Sequence, residues 1–309
     1  YHVDLTDKRV GIIGTGATAI QVVPEIAKVV RELYVFQRTP SSIDVRDQRA
    51  TTQEEIEQWK QEPNWSIKRR ERLATISSGR TALQGNDDFL AGRVAEIKPR
   101  KQHKTEISPE ELIQKQLNTN FRIMEQLRAR VEAVVDDPNA AAALKPYYPY
   151  GCKRPTFHDE FLPTFNLPHV TLVDTAPLGV QLINERGVVH DDKQYKLDVL
   201  IYATGFQWMG TGSFNMIVGK EGRSLRDKWS EEGTQTFLGI HNHGFPNLFT
   251  MSGPQGGGGQ FNFMRGLESH TDYIRWMLTT MRDRGARTVD VHKQPEFEYA
   301  EHCKQADIL

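Results

Sequence analysis

Two groups of residues in this 309-residue sequence could bind anions, and the first is a glycine-rich turn. It reads Gly14-Thr15-Gly16-Ala17-Thr18-Ala19 and fits the pattern G-x-G-x-x-A. In that pattern the first glycine permits a tight turn, and the second lets a pyrophosphate approach the backbone. The small last residue lets a helix pack closely on its strand. We predict a dinucleotide-binding turn, and the alternative is a glycine turn before a helix that binds nothing.

The second group is a pair of adjacent cations, Lys153 and Arg154, in an aromatic loop. The loop reads PYYPYGCKRP from Pro146 to Pro155, and its prolines disfavour a helix. Two fixed cations suit an anionic ligand, or a negative charge that develops during a reaction. An ordinary basic loop is the alternative. The neighbouring Cys152 could be an activated nucleophile, but we expect it to have a packing role.

The residues around the glycine turn predict the elements that the motif requires. Arg9 to Ile13 is rich in valine and isoleucine, as in a strand that is buried on both faces. Ala17 to Val30 carries apolar residues at helical spacing, and the first turn of such a helix offers free N–H groups to phosphates. Leu33 to Phe36 predicts the second strand. The turn therefore lies in a strand–turn–helix–strand unit.

The residues after the second strand indicate which dinucleotide is bound. An NAD site usually has an acidic residue about 20 positions after the glycines, where it bonds the ribose hydroxyls. Here that place holds Arg38 and Thr39. A guanidinium can bind a 2′-phosphate through two parallel hydrogen bonds, whereas a carboxylate would repel it. We therefore expect NADP, with Arg38 as the main contact and Thr39 as a hydroxyl donor. A surface arginine at a strand end is the alternative.

Other residues could carry other chemistry. The run from His158 to Glu160 offers acid–base groups, and His241, His243 and His270 are possible metal ligands. No H-x-x-x-H or H-E-x-x-H pattern is present, so we expect no metal site. The sequence also lacks the G-x-S-x-G pattern of a nucleophile elbow.

The composition limits the class of protein. The net charge of −1 gives no indication of a nucleic-acid or anionic-membrane partner. The two cysteines exclude a disulfide scaffold and fit a reducing compartment, so we expect a cytoplasmic location. No apolar run approaches the length of about 20 residues that a membrane span needs, and no signal peptide opens the chain.

The chain predicts an α/β protein with an all-helical insert. Residues 51–150 are mostly polar, and both Thr51–Glu54 and Ser108–Glu111 resemble helix starts, with Ser108 as N-cap and Pro109 at the first helical position. We expect a Rossmann-like NADP-binding domain at 1–50 and 151–205, interrupted by this insert. Residues 206–309 would be the C-terminal part of a FAD-binding domain. This is the plan of flavoproteins with two dinucleotide-binding domains.

Further strands are expected after the insert. His169 to Val173 and Val180 to Ile183 predict strands, and residues 187–195 predict a hairpin-like turn. Leu197 to Ala203 predicts a buried strand. Residues 246–253 predict an apolar strand before the glycine run 256–259 and a long helix at about 265–281. That combination could be a second phosphate cradle, although it lacks the G-x-G-x-x-G spacing.

Several stretches together resemble the Baeyer–Villiger monooxygenases, especially the fungal type. They are GTGATAIQ, FQRTP, YPYGCKRP, FHDEFLPTFNLPHVTLVDT, IYATGF and FPNLFTMSGPQG, and the resemblance runs from about Asp4 to Met281. Members of that family contain FAD, use NADPH and insert oxygen beside a ketone. The resemblance implies the same reaction here, through a flavin C4a-peroxide, and fungal relatives suggest a bulky ketone as the substrate.

The resemblance also implies a role for individual residues. Gly14, Gly16 and Ala19 would hold the NADP pyrophosphate. Thr15, Ala17, Thr18 and Gln21 would complete that part of the site. Arg38 and Thr39 would bind the 2′-phosphate, and Lys153 would contact NADP. Arg154 would be the catalytic arginine, which stabilises the peroxide and later the tetrahedral adduct. Ala203, Thr204 and Gly205 match the family's linker between the two nucleotide domains.

The sequence departs from the family pattern at several places. The FAD-binding G-x-G-x-x-G, the fingerprint F-x-G-x-x-x-H-x-x-x-W and a tryptophan-containing C-terminal segment have no counterpart, and Gln207 stands where the family usually has aspartate. The nucleotide-binding strand follows Tyr1 almost at once. We therefore expect a fragment or truncated form whose N-terminal FAD half is missing, and which binds little FAD alone.

Two other functions stay open at this point. One is a non-catalytic NADP-binding remnant that serves as a binding or partner subunit. The other is a related flavin-dependent N-hydroxylase, against which the CKRP and FHDEFLPTFNLP stretches argue.

Overall fold

The computed structural model describes residues 3–77, 108–206, 212–256 and 263–307. The chain divides into two compact units. The first unit comprises Tyr1–Gln58 and His103–Phe206, and the second comprises Trp59–Gln102 and Gln207–Leu309. These bounds differ from the domains expected above, which treat residues 51–150 as one insert. The assignment of domains stays a prediction.

A four-stranded parallel sheet lies at the centre of the first unit. Its strands, in spatial order, are β5 (Val170–Asp174), β2 (Glu32–Gln37), β1 (Arg9–Ile13) and β9 (Val199–Tyr202). In register, Gly11 of β1 lies beside Tyr34 of β2 and Leu200 of β9. Because the strands are parallel, their carboxyl ends meet at one edge, which is where open α/β sheets bind ligands.

Helix α1 (Ala17–Ala27) connects β1 with β2 and packs on the sheet. Ala19 and Val23 of the helix are fully buried against the strand residues Val10 and Ile12. The small side chain of Ala19 permits this close packing, as the motif predicts. The helix ends at Ala27, three residues before the predicted end at Val30.

Strand β9 lies at the edge of the described sheet. We predicted a buried strand here, and that prediction was wrong about burial, because the strand is only half-buried and Tyr202 is 63% exposed. Among the described strands, β9 pairs only with β1, so its outer side is not covered by a strand.

Seven described elements lie between β2 and β5 in the sequence. They are β3 (Ile43–Asp44), α2 (Gln53–Gln61), α3 (Trp65–Ser77), α4 (Pro109–Val134), α5 (Pro138–Leu144), β4 (Thr156–Phe157) and α6 (Phe161–Thr164). Strands β3 and β4 pair in parallel as a separate two-stranded sheet.

Capping boxes begin two of these helices. Ser108 and Glu111 form the box of α4, and Pro109 is its first residue, as predicted. The box of α2 lies one residue later than predicted, because Thr52 and Glu55 exchange hydrogen bonds. Glu55 also forms an ion pair with Arg49 at 2.6 Å, and this second partner favours Glu55 over Glu54.

A three-stranded antiparallel sheet lies between β5 and β9 in the sequence. It contains β6 (Leu182–Asn184), β7 (Gly187–His190) and β8 (Lys193–Lys196). The two residues between β7 and β8, Asp191 and Asp192, both have positive φ angles, of 47° and 58°. Such angles are typical of the type I′ turn, so the hairpin forms where it was predicted.

The second unit is held together by helices and a buried ion pair. Its described elements after Phe206 are α7 (Ser213–Met216), α8 (Leu225–Glu232), α9 (Phe263–Asp283) and α10 (Lys293–Asp307). Lys228 of α8 and Glu296 of α10 are buried and lie 2.6 Å apart. Glu296 also accepts the N–H of His243 at 2.8 Å, which ties both helices to the intervening loop.

The apolar strand predicted at residues 246–253 does not form, so that prediction was wrong. Asn247 and Ser252 have positive φ angles of 60° and 53°, which interrupt an extended backbone. The N–H of Leu248 bonds to Phe245 in a local turn, and that of Thr250 bonds to Ile240, ten residues earlier, so these groups do not form a ladder. Residues 257–259 of the glycine run, and Gln207, lie outside the described residues.

Within the described ranges, no helix combines the length and the apolar character that a membrane crossing needs.

Candidate functional site

The glycine turn joins β1 to α1 at the carboxyl edge of the parallel sheet. Gly14 has a φ angle of 108°, and a Cβ atom at this position would lie 2.4 Å from the carbonyl oxygen of Ala203. The N–H of Gly14 donates to the carbonyl oxygen of Phe36 at 2.9 Å. Because both the backbone angle and the space exclude a side chain, only glycine fits at position 14.

Gly16 is not required by the protein itself. Its φ angle of −79° is available to any residue, and it is the N-cap of α1 without a side-chain hydrogen bond. A Cβ atom at Gly16 would have no other atom within 4 Å. The first turn of a helix also leaves N–H groups without intrahelical acceptors. Open space in front of such a helix start is what a pyrophosphate needs, so the residues present fit a dinucleotide.

The segment after β2 is bonded to the glycine turn. Thr15 is 4% exposed and donates its hydroxyl to the carbonyl oxygen of Thr39 at 3.0 Å. The carbonyl oxygen of Thr15 accepts the hydroxyl of Ser41 at 2.6 Å. On α1, the exposed Gln21 donates its amide to the carbonyl oxygen of Ala17 at 2.8 Å. The turn and the segment that follows Arg38 are therefore fixed relative to each other.

Arg38 lies at the same edge of the sheet and is exposed. The turn after β5 lies beside it, since a Cβ atom at Gly179 would be 3.6 Å from Cδ of Arg38. That turn is bonded to β2 through the N–H of Thr175, which donates to the carbonyl oxygen of Gln37 at 2.7 Å. No described carboxylate forms an ion pair with Arg38. Its guanidinium is therefore available for an anionic ligand.

The loop that carries Lys153 and Arg154 is anchored on both sides. The side-chain amide of Asn120, on α4, donates to the carbonyl oxygen of Tyr150 and accepts its N–H, both at 2.9 Å. On the other side, Thr156 donates its N–H at 3.1 Å and its hydroxyl at 2.6 Å to the carbonyl oxygen of Ser42. The loop is not helical, as predicted, and its position is defined by these contacts.

Lys153 lies within the range of electrostatic interaction with Arg38, although 115 positions separate them in the sequence. The pKa of Lys153 is lowered by partial burial and then by the positive charge of Arg38. Lys153 and Arg154 are both exposed, and neither forms an ion pair within the described ranges. Arg38 and Lys153 interact without a described carboxylate between them, and such a pair of cations favours a ligand with concentrated negative charge, such as a phosphate. The assignment of residues 153 and 154 to a cofactor site stays a prediction.

The proposed linker begins beside the glycine turn. The N–H of Ala203 donates to the carbonyl oxygen of Ile13 at 2.9 Å, and its own carbonyl oxygen is the group that excludes a side chain at Gly14. Thr204 and Gly205 are exposed, and Gly205 has a φ angle of 85°.

The residues considered for other chemistry have structural roles. Nδ1 of His158 accepts two N–H groups at the start of α6, at 3.1 and 3.2 Å. Asp159 accepts the N–H groups of residues 46–48. Burial raises the pKa of Asp159, but these hydrogen bonds have the larger combined effect, so its pKa lies below the usual value. Cys152 is exposed, so the expected packing role was wrong. Cys152 is therefore not part of a core.

The three candidate metal-binding histidines contact three different groups. His241 lies 3.1 Å from the hydroxyl of Tyr273, and His243 lies 2.7 Å from the carbonyl oxygen of Val291. His270 accepts the N–H of Ser252 at 3.0 Å. In the part of the chain that the structure describes, no three His, Cys, Asp or Glu side chains are grouped so that they could hold a metal ion.

No family model matches the chain. Two curated relatives are 40% identical to it: the Baeyer–Villiger monooxygenase ATR8 of Stachybotrys chlorohalonatus and the polycyclic ketone monooxygenase of Thermothelomyces thermophilus. The matches cover 96% and 97% of this chain, and 48% and 49% of the relatives. Among its relatives, ATR8 and a protein of Streptomyces coelicolor are named Baeyer–Villiger monooxygenases. The resemblance inferred from the sequence is thereby confirmed, while the chain spans about half the length of the curated relatives it matches.

Solved structures of Baeyer–Villiger and related monooxygenases have the same fold. The polycyclic ketone monooxygenase of Thermothelomyces thermophila matches with a TM-score of 0.80 at 38% identity, over 96% of this chain and 49% of that one. OTEMO in complex with FAD and NADP matches with a TM-score of 0.76 at 29% identity, over 97% of this chain and 57% of that one. The predicted α/β flavoprotein fold class is confirmed.

Proposed function

We propose that this chain supplies the NADPH-binding part of a Baeyer–Villiger monooxygenase, which uses FAD and NADPH to insert oxygen beside a ketone and gives an ester or lactone. The observation that carries this proposal is the open glycine turn with Arg38 at the same sheet edge and with Lys153 within electrostatic range of Arg38. The names of relatives, among them a polycyclic ketone monooxygenase and a ketocytochalasin monooxygenase, support a bulky ketone as the substrate. The small number of cysteines supports a cytoplasmic location.

Residues of the first unit would bind NADPH in two places. The pyrophosphate would lie over Gly16, where a side chain is absent and the start of α1 offers N–H groups. The 2′-phosphate would lie at Arg38, with Lys153 as a second cation. The hydrogen bonds of Thr15 to the segment after Arg38 would keep these two places at a fixed separation.

The flavin, when bound, would supply electron transfer and the activation of oxygen. The described residues of the second unit after Phe206, 212–256 and 263–307, contain no strand–glycine turn–helix unit that could hold an FAD pyrophosphate. We therefore place that cradle in the part of the relatives which this chain does not match, and we propose the corresponding FAD half as the partner of the regions described here. OTEMO supports this pairing, since it was solved with both FAD and NADP.

Arg154 would be the catalytic residue of this chain. Its guanidinium is exposed, lies on a loop that Asn120 and Ser42 hold in place, and has no described ion-pair partner. A fixed cation of this kind would stabilise negative charge as it develops on the reacting oxygen. A lysine would be a poorer substitute, since it lacks the planar arrangement of donors.

The experiment is Arg154→Ala in the full-length protein. We expect ester formation to fall by about 10²–10³-fold, because one preorganised charge is lost. Reduction of the flavin by NADPH should stay largely intact, since NADPH would be held by the glycine turn and Arg38. Stopped-flow absorbance would measure the reduction, and chromatography would measure the ester.

Two comparisons complete this experiment. Arg154→Lys should restore little activity, and Arg186→Ala, an exposed arginine in the turn between β6 and β7, should leave both rates unchanged. If Arg154→Ala still forms ester at a near-normal rate, the catalytic role of Arg154 is wrong. If the wild-type protein binds NADPH but never forms ester, a non-catalytic NADP-binding protein is the better description.

A further inference from the structure

One short segment holds both the glycine turn and the loop of Lys153. Residues 39–42 follow Arg38 directly, and Ser41 donates to the carbonyl oxygen of Thr15 at 2.6 Å. The next residue, Ser42, is 1% exposed and accepts both donors of Thr156. The segment therefore connects the turn that would bind the pyrophosphate with the loop that would bind the 2′-phosphate.

Tyr148 connects this segment to the ammonium group of Lys153. The N–H of Ser42 donates to the hydroxyl of Tyr148 at 3.0 Å. The ring of Tyr148 is half-buried, and its centroid lies 5.1 Å from Nζ of Lys153, which is within the range of a cation–π contact. A ring attracts an ammonium without neutralising it, whereas a carboxylate in the same place would compete with an anionic ligand.

We propose that Tyr148 is a positioning residue of the NADPH site, whose ring holds Lys153 beside Arg38 so that both cations reach the 2′-phosphate. This inference rests on the proposed function, because it requires NADPH at the glycine turn. The lowered pKa of Lys153 supports the arrangement, since partial burial and then the charge of Arg38 act on it. Two cations held together repel each other, and a bound phosphate would relieve that repulsion.

A double-mutant cycle with the 309-residue chain tests this role. We expect Tyr148→Leu to weaken NADPH binding by about 2- to 5-fold, the range of an exposed cation–π contact. NADH binding should change less, because NADH has no 2′-phosphate. In a Lys153→Ala background, Tyr148→Leu should have no further effect. Fluorescence titration with NADPH and NADH would give the affinities, and thermal melting would show that each variant is folded.

Two further variants separate the ring from other features of the loop. Tyr148→Phe keeps the ring and loses the bond to Ser42, so it should retain more NADPH affinity than Tyr148→Leu. Tyr147→Leu is the matched control, because this neighbouring tyrosine is 67% exposed, has no cation over its ring among the described contacts, and meets the ring of Tyr148 only edge-on, with the centroids 6.1 Å apart. It should leave both affinities unchanged.

Several outcomes would overturn the inference. If Tyr148→Leu has the same effect with and without Lys153, Tyr148 acts through general packing of the loop. The same holds if NADH binding falls as much as NADPH binding. If Arg38→Ala selectively weakens NADPH binding but Tyr148→Leu does not, the proposed NADPH site stands and only the role of Tyr148 fails. A wild-type chain without preference for NADPH would remove both proposals.

Discussion

Replacing Gly14 or Gly16 of the glycine turn with alanine should have different effects. The first change should destabilise the fold, and the second should weaken NADPH binding. At Gly14, a Cβ atom would lie 2.4 Å from the carbonyl oxygen of Ala203, and the φ angle is 108°. At Gly16, the same atom would meet nothing within 4 Å, and the φ angle is −79°. The first glycine is therefore required by the fold, and the second would be required by the ligand.

The expected magnitudes follow from these contacts. Gly14→Ala combines a strained backbone, at about 1–3 kcal/mol, with a steric overlap, at about 1–3 kcal/mol. Gly16→Ala should change the free energy of unfolding by less than about 1 kcal/mol, because a somewhat weaker N-cap is offset by a less flexible unfolded chain. Its methyl group would instead displace the pyrophosphate from the backbone N–H groups. The loss of one charge-assisted hydrogen bond is about 1.5–3 kcal/mol, or roughly 10- to 100-fold in NADPH affinity.

Two measurements on each variant check this prediction. Urea unfolding would give the change in stability, and titration with NADPH would give the change in affinity. A Gly16→Ala protein that is as unstable as Gly14→Ala would contradict the open space at position 16. A stable Gly16→Ala protein that binds NADPH normally would show that the pyrophosphate does not pass over Gly16, and the proposed cofactor position would then be wrong.

Two further predictions concern the cofactors. Arg38→Ala should weaken NADPH binding by about 1–3 kcal/mol and NADH binding far less, because only NADPH carries the 2′-phosphate. Equal losses of affinity for the two cofactors in titrations would refute the role of Arg38. Arg186→Ala is the control. The purified 309-residue chain should be colourless or nearly so, because its described residues contain no FAD pyrophosphate cradle; stoichiometric flavin in the visible absorption spectrum would show that the flavin site is misplaced here.

The parts of the fold that were predicted correctly depend on local sequence. Strand β1 forms at the predicted residues, and α4 begins with the predicted N-cap at Ser108. A run of valine and isoleucine and a helix cap each involve only a few neighbouring residues, so the sequence contains the information directly. The predicted strand at 246–253 did not form, although it too was predicted from local sequence. Its apolar residues suit a strand, but Asn247 and Ser252 adopt turn angles that the apolar pattern does not reveal.

The same distinction between local patterns and long-range contacts applies to the candidate site. Gly14, Gly16 and Arg38 were identified because a motif and a fixed spacing mark them. Asn120 and Ser42 were missed, since no sequence pattern links them to the loop of Lys153, and their backbone contacts exist only in the folded chain. The exposure of Cys152 was missed for a related reason, because it depends on how distant residues hold the loop.

Charge pairing in the first unit also bears on whether an anion binds beside Arg38. The chain has nearly equal numbers of basic and acidic residues, 39 and 40, and several cations elsewhere in this unit have carboxylate partners. Arg9 pairs with Asp198 and Arg49 with Glu55, each at 2.6 Å. Arg38 and Lys153 lie together without a described carboxylate, although such a partner would relieve their repulsion. The missing counter-charge is what a phosphate ligand would provide, so the same repulsion that disfavours the empty site would favour binding of NADPH.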